Sequence, residues 1–245
     1  MNQPKKQFLF NFLLVFFAFV ALSACKENKE NSENKDFNDS IASSDNTACF
    51  EKYKTDLMKM LTKDEIASVY QGDMSKAELK SNIKEKYRRS ADYKYYWPGD
   101  PDRVERIMSN GRDLGPNNYL IGAGDLEFYK EDSKFIVKNF KNTYDLTDAK
   151  KAAAKKAINK ELEKNGVDNK TKNTSKSISN SIIPELKFSP VEGIGDAAVW
   201  SHLHSALIVL KGRTKFTVFV DISDNHKEDV DMAKKLAQLI LDKCE

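Results

Sequence analysis

His202 and His204 are the residues whose type and spacing best suit metal chemistry in this sequence. Residues two positions apart on a β-strand point to the same side, so both imidazoles would lie on one face. Asp221 or Asp196 would complete three ligands, the number that a catalytic zinc ion takes from a protein. The sequence therefore allows a metal-dependent hydrolase with bound zinc. The simpler interpretation is a cross-strand contact between His204 and Asp221 on a half-exposed sheet.

A predicted hairpin near the C-terminus would carry these histidines. Residues 203–210 and 215–222 are rich in aliphatic and aromatic side chains, and Gly212-Arg213 between them suits a two-residue turn. This turn pairs Leu207 with Val218, which gives one nearly all-apolar face. A shift by one residue would break that match, so the pattern itself supports the register.

Three aromatic residues, Tyr93, Tyr95 and Trp97, alternate with charged or polar neighbours and would share one face of a strand. Two roles are open for them. They could pack under the helices as part of the core, since each ring has a large area to bury. Alternatively, they could form a stacking platform for sugars or peptides beside the long polar loop 98–118.

The N-terminal residues have the order of a secretory signal. Lys5 and Lys6 precede an apolar run over 8–22, which ends in the tetrapeptide Leu22-Ser23-Ala24-Cys25. As a helix this run would rise about 22 Å, short of the roughly 30 Å hydrocarbon core. The tetrapeptide resembles the lipobox of bacterial lipoproteins. This resemblance implies that Cys25 carries a thioether-linked diacylglycerol and becomes the first residue of the mature protein.

The rest of the composition fits an anchored domain. We expect a signal peptide over 1–24 and a disordered tether over 25–48, a stretch dominated by Lys, Glu, Asn and Ser. The 40 basic and 37 acidic residues nearly balance, which argues against nucleic acid as a partner. The expected location is the bacterial cell envelope at the outer membrane, on its periplasmic face or at the cell surface.

Two further cysteines, Cys49 and Cys244, lie at the two ends of the predicted folded region. In an oxidising compartment they could form a disulfide that closes nearly the whole domain. The alternative is two unpaired thiols, because connectivity cannot be deduced from sequence.

Beyond the tether we predict a single α+β domain over 49–245, with an antiparallel sheet or sheets packed by helices. Periodic patterns predict helices over 49–70 and 147–165 and a terminal helix over 225–244, with strands in between. Residues 131–144 fit either a helix or a strand. The stretch near 166–183 is rich in Asn, Lys, Thr and Ser, which predicts a mobile surface insertion.

Gly122-Ala123-Gly124-Asp125 and Gly193-Ile194-Gly195-Asp196 share a Gly-x-Gly-Asp spelling. The repeat suggests two αββ-like halves, with each segment a tight turn that enters a strand. In outline, this order of elements is similar to the PsbP-like α/β sandwich. That resemblance implies a fold and carries no functional residues.

These observations favour a non-enzymatic, lipid-anchored binding or scaffolding module without a cofactor. Its expected partners are the membrane, through the anchor, and an envelope protein or glycan. The chain contains neither a phosphate-binding loop nor a Gly-x-Ser-x-Gly or His-Glu-x-x-His motif. The alternative is the zinc-dependent envelope hydrolase built on His202 and His204.

Overall fold

A computed structural model of the chain describes residues 47–83, 91–100, 118–130, 135–166 and 168–244. The predicted signal peptide, Cys25, nearly all of the predicted tether and residues 101–117 of the long loop lie outside the described residues. The chain divides into two compact units. Ser43–Tyr144 and Glu185–Glu245 form the larger unit, and Asp145–Pro184 belongs to the smaller one.

The larger unit contains one antiparallel sheet, whose seven described strands have the order β1-β2-β3-β7-β6-β5-β4. In chain order these are β1 (Glu78–Ser81), β2 (Asp92–Trp97), β3 (Tyr119–Phe128), β4 (Phe188–Val191), β5 (Ala197–Ser201), β6 (Ala206–Lys211) and β7 (Thr214–Asp221). The predicted α+β fold with an antiparallel sheet is confirmed. The short edge strands β1 and β4 were not predicted from the sequence.

Six α-helices lie within the described residues. They are α1 (Thr47–Glu51), α2 (Lys63–Val69), α3 (Ile136–Tyr144), α4 (Asp148–Lys164), α5 (Asn169–Glu185) and α6 (His226–Asp242). Two 3₁₀ turns, Lys52–Lys54 and Leu57–Lys59, connect α1 with α2. The ambiguous region 131–144 thus contains a helix. No described helix is both long and apolar enough to cross a membrane.

The hairpin of β6 and β7 has the predicted register. Leu207 pairs with Val218 and Val209 with Phe216, and Gly212 in the turn has a φ of 55°. Such a turn requires a positive φ, which glycine adopts without a steric cost. The strand itself is shorter than predicted, because β6 begins at Ala206 instead of residue 203.

One face of the sheet, called here the core face, is covered by α6 and by the segment 50–74. The side chains of α6 that pack there are spaced three or four residues apart, as one helix face requires. They are Ala233, Leu236, Ala237, Ile240 and Leu241. The ring of Phe50 stacks on that of Phe216 at 5.6 Å between centroids, which places the N-terminal segment over β7.

The opposite face, called here the second face, is covered in part by α3. Phe140 of α3 packs with Val199 and Leu210 in a second, smaller hydrophobic cluster. Tyr144 ends the helix with its ring 4.8 Å from Phe140 and 5.0 Å from Phe188. These contacts lie over β4, β5 and β6, in the half of the sheet that does not contain β2.

The smaller unit contains two helices, α4 and α5, that share a small apolar cluster of Ile158, Leu162 and Ile183. Helix α4 lies where the sequence predicts one. Helix α5 occupies the polar stretch that was predicted as a mobile insertion. Its N-terminus is capped by Asp168, whose carboxylate accepts from the backbone N–H of Thr171 at 3.0 Å.

The two Gly-x-Gly-Asp segments occupy different places in the fold. Gly122–Asp125 lies inside β3, whereas Gly193–Asp196 lies in the loop between β4 and β5. The expectation that both are turns entering strands is therefore wrong for the first segment. Only the second meets the predicted conformation, since Gly193 and Gly195 have positive φ values of 75° and 58°.

Candidate functional site

The charged side chains of strand β2 project from the second face of the sheet. Alternation along the strand buries Tyr93, Tyr95 and Trp97 on the core face and leaves Asp92 and Lys94 on the other. Further polar side chains come from β7 and from the end of β3. We call the whole group the second-face cluster, which consists of Asp92, Lys94, Asp125, Glu127, Lys215 and Thr217.

Two glycines of β3 form the floor of this cluster. Gly122 pairs with Lys94 on β2, and Gly124 pairs with Asp92. A Cβ atom on Gly122 would collide with the carbonyl oxygen of Tyr93 and the Cα of Lys94. Glycine is therefore required here for close approach of the two strands, as is typical of glycine in a strand interior.

The space above Gly122 is crossed by Lys94. Its ammonium lies 2.8 Å from the carboxylate of Asp92 and 3.8 Å from the ring centroid of Phe219 on β7. Lys94 thus spans three strands, with an ion pair on its own strand and a cation–π contact two strands away. The side chain is largely withdrawn from solvent, which strengthens both interactions.

Asp125 follows the two glycines, at an irregularity in the pairing of β3 with β7. Its φ is 50°, and its backbone N–H donates to the carbonyl oxygen of Ala91 at 2.9 Å. Burial and, to a smaller degree, the carboxylate of Asp92 raise the pKa of Asp125, which reaches about 6. Lys215, Lys94 and a hydrogen bond with Thr217 act in the opposite direction.

The far end of the cluster is held by an ion pair between Lys215 and Glu127 at 2.5 Å. The neighbouring Tyr129 is partly buried, which raises the pKa of its hydroxyl to about 12. The cluster thus combines ion pairs on a sheet with one buried carboxyl group whose pKa is raised to about 6. This site was not predicted from the sequence, although the Asp-x-Lys alternation of β2 and the Gly-x-Gly of β3 were its signals.

His202 and His204 do not lie on a strand, so the predicted His-x-His face is wrong. Both belong to the turn over 202–205 between β5 and β6, in which Ser205 has a φ of 45°. The ring of His202 instead approaches His226 at the start of α6, with 5.5 Å between centroids. Its Nε2 lies 2.8 Å from the Oγ of Ser189 on β4.

The two predicted carboxylate ligands are also separated from each other. Asp196 precedes β5 and accepts from the backbone N–H of Gly212 at 2.6 Å, so it closes the turn between β6 and β7. His202 follows the same five-residue strand, roughly 20 Å away at 3.3 Å per residue. Asp221 is buried at the other end of β7. Among the described residues, no three His, Cys, Asp or Glu side chains are grouped to hold a metal ion.

The predicted stacking platform of Tyr93, Tyr95 and Trp97 is buried in the core, with exposed fractions of 0%, 8% and 4%. The hydroxyl of Tyr93 donates to the carbonyl oxygen of Leu61 at 2.7 Å and accepts from its N–H at 2.9 Å. The segment 50–74 packs over these rings. Of the two roles considered above, the structure therefore assigns the core role.

Cys49 and Cys244 are joined by a disulfide, with their Cα atoms 5.5 Å apart. The bond links α1 to the residues that follow α6. Lys243 lies beside it and contacts both carboxylate oxygens of Glu65, at 2.9 and 3.0 Å. Burial acts to raise the pKa of Glu65, but the hydrogen bonds from Lys243 and Thr62 outweigh it and lower the pKa.

Comparison with protein-family models, curated proteins and solved structures finds no match for this chain.

A shallow depression of about 370 Å³ lies beside α2. Lys63, Tyr70, Gln71 and Met74 are among its lining residues. Tyr70 forms one wall, and its ring packs at 5.4 Å between centroids against Trp97 beneath it. The depression is open to solvent, and Lys63 and Gln71 supply polar groups at its rim.

Proposed function

We propose that this protein is a lipid-anchored module of the bacterial cell envelope that binds or scaffolds an envelope protein or glycan without catalysing a reaction. Cys25, at the end of Leu22-Ser23-Ala24-Cys25, is the observation that carries this proposal. The basic residues Lys5 and Lys6 and the short apolar run have the order of a signal peptide in front of that cysteine.

The disulfide between Cys49 and Cys244 supports an extracytoplasmic location independently of the N-terminal residues. Disulfides persist in oxidising compartments and are rare where thiols are kept reduced. The same bond ties the start of the folded unit, where a tether from Cys25 would enter it, to the residues after α6. A force on the anchor would thus be transmitted to α1 and, through the disulfide, to the residues after α6.

The second-face cluster is the surface that we assign to the partner. Its ion pairs lie on a sheet, which holds polar groups more precisely than a loop does. Glu127 and Asp92 are its more accessible members, with side-chain exposures of 38% and 21%, whereas Lys215 and Lys94 are exposed by 17% and 16%. Such groups can exchange their mutual contacts for contacts with the charged or hydroxyl groups of an envelope protein or glycan.

Localisation tests the anchor. The full-length chain is expressed in a Gram-negative host with its own N-terminus, and membranes are separated after labelling with a fatty-acid analogue. We expect label and membrane association for the wild type and loss of both for Cys25→Ala. Cys49→Ser is the matched cysteine control and should keep the label. An unlabelled wild-type chain, or a labelled Cys25→Ala chain, would contradict the proposal.

Site-specific crosslinking tests the binding surface. A photoreactive residue is placed at Tyr96, which belongs to the same face of β2 as Asp92 and Lys94, and for comparison at the exposed Lys235 of α6. The proposal predicts a discrete adduct in cells from position 96 and none from position 235. Adducts of equal yield from both positions, or from neither, would contradict this assignment.

A further inference from the structure

His202 and His226 come together from two separate elements at one edge of the sheet. His202 lies in the turn after β5, and His226 is the first residue of α6. We propose that these two histidines form a binding site for a divalent transition metal ion, with zinc as the reference ion. The site is distinct from the His202 and His204 pair that the sequence suggests.

The separation of the rings fits a shared ion. A zinc ion lies about 2.0–2.1 Å from an imidazole nitrogen, so it sits about 3.2 Å from the ring centre. Two such rings at a tetrahedral angle have their centres about 5.2 Å apart. The centroids of His202 and His226 are 5.5 Å apart, with 83° between the ring planes. The rings meet edge to face, so a shared ion requires the exposed ring of His226 to rotate.

Ser189 supplies the second observation that points to a ligand. Its Oγ lies 2.8 Å from Nε2 of His202. When the ring proton is on Nε2, this nitrogen donates to Ser189 and the lone pair of Nδ1 is free for a metal ion. Metal-binding histidines usually donate their other ring N–H to an oxygen atom in this way, which fixes the tautomer and the orientation of the ring.

The protonation state and the accessibility of the pair are also favourable. Burial lowers the pKa of His202, and the nearby Lys187 and His226 act in the same direction, which favours the neutral ring. A neutral imidazole is the form that binds a metal. His226 is exposed at the helix start, so its side chain can rotate toward the ion. Water molecules would fill the other two of the four coordination positions, one more than in a catalytic zinc site with three protein ligands.

Calorimetric titration with zinc chloride tests the site, using the full chain in detergent without a polyhistidine tag. We expect one ion per chain for the wild type. His202→Ala and His226→Ala should each weaken binding at least about tenfold, because each removes one of the two ligands. The matched control is His204→Ala, which changes the same turn and should leave the affinity within about twofold.

Ser189→Ala gives a second readout. It should weaken zinc binding several-fold while leaving thermal stability nearly unchanged, since the serine acts only through the orientation of His202. Wild-type protein that binds no zinc would overturn the proposal. So would zinc binding that survives both histidine substitutions, or that depends on His204 as strongly as on His202. Circular dichroism of each variant establishes that a loss of binding is not a loss of folding.

Discussion

Lys94 reaches across the sheet and places its ammonium 3.8 Å from the ring centroid of Phe219. The strand between them carries Gly122, which pairs with Lys94 on one side and with Phe219 on the other. The lysine can make this contact only because the intervening residue has no side chain. Lys94 on β2 and Phe219 on β7 are thereby in contact although their strands are not adjacent. This contact helps to hold Lys94 in its place in the second-face cluster.

Gly122→Ala should destabilise the larger unit by about 3 kcal/mol or more, because the new methyl group would force β2 and β3 apart. Chemical denaturation measures the change. Gly212→Ala is the control, since a Cβ at that turn meets nothing within 4 Å and only the positive φ disfavours alanine. The control substitution should lower the free energy of unfolding by about 1 to 2 kcal/mol. Equal costs for the two substitutions would mean that the close approach at Gly122 is not needed.

Asp125→Asn should stabilise the protein at pH 8 and have little effect near pH 4. The pKa of Asp125 in the folded protein is about 6, above the ordinary value of 3.8, so the folded state holds the proton more tightly. That stabilisation is complete below about pH 4 and is lost as the pH rises through 6. Removing the charge should therefore gain about 1 to 3 kcal/mol at pH 8.

Thermal melting of wild type and variant at both pH values measures this difference. Asp92→Asn is the matched control, because it removes a carboxylate that is paired with Lys94 at 2.8 Å. This substitution also relieves the repulsion between Asp92 and Asp125, but the loss of the ion pair with Lys94 offsets that relief, so no net gain is expected at pH 8. A gain from Asp92→Asn equal to that from Asp125→Asn would show that burial of Asp125 is not the cause.

Reduction of the disulfide between Cys49 and Cys244 should lower the free energy of unfolding by about 5 kcal/mol in the chain-entropy model. The reason is the length of the closed loop, since the two cysteines are 195 positions apart in the sequence. Melting with and without reductant measures the change. The double variant Cys49→Ser/Cys244→Ser should melt at the reduced temperature in both conditions. Free thiols in the untreated protein would contradict the bond.

Tyr93→Phe should lower the free energy of unfolding by about 1 to 3 kcal/mol. The buried N–H and carbonyl groups of Leu61 would both lose the Tyr93 hydroxyl as their hydrogen-bond partner. Urea denaturation measures the loss. Tyr96→Phe, on the opposite face of the same strand, should change the stability by less than about 0.5 kcal/mol. Similar effects for both would mean that the Tyr93 hydroxyl does not hold the segment 50–74 on the sheet.

Local patterns were sufficient for much of the fold. The register of β6 with β7 followed from Gly212-Arg213 and from the apolar match of Leu207 with Val218, because a turn and a buried face together leave one register. The terminal helix followed from an apolar stripe at helical spacing. Helix α5 could not be predicted in this way, because its polar composition gives no stripe and Ile183 packs against residues of α4.

The sequence by itself determined which residue types are present and where the strands alternate, so it placed Tyr93, Tyr95 and Trp97 on one face. It also placed the cysteines at the two ends of the folded region. Only the tertiary structure decided which face is buried, that Cys49 meets Cys244, and that His202 lies beside His226 instead of His204. The physical reason is distance along the chain, since such contacts depend on how strands and helices pack and leave no local pattern.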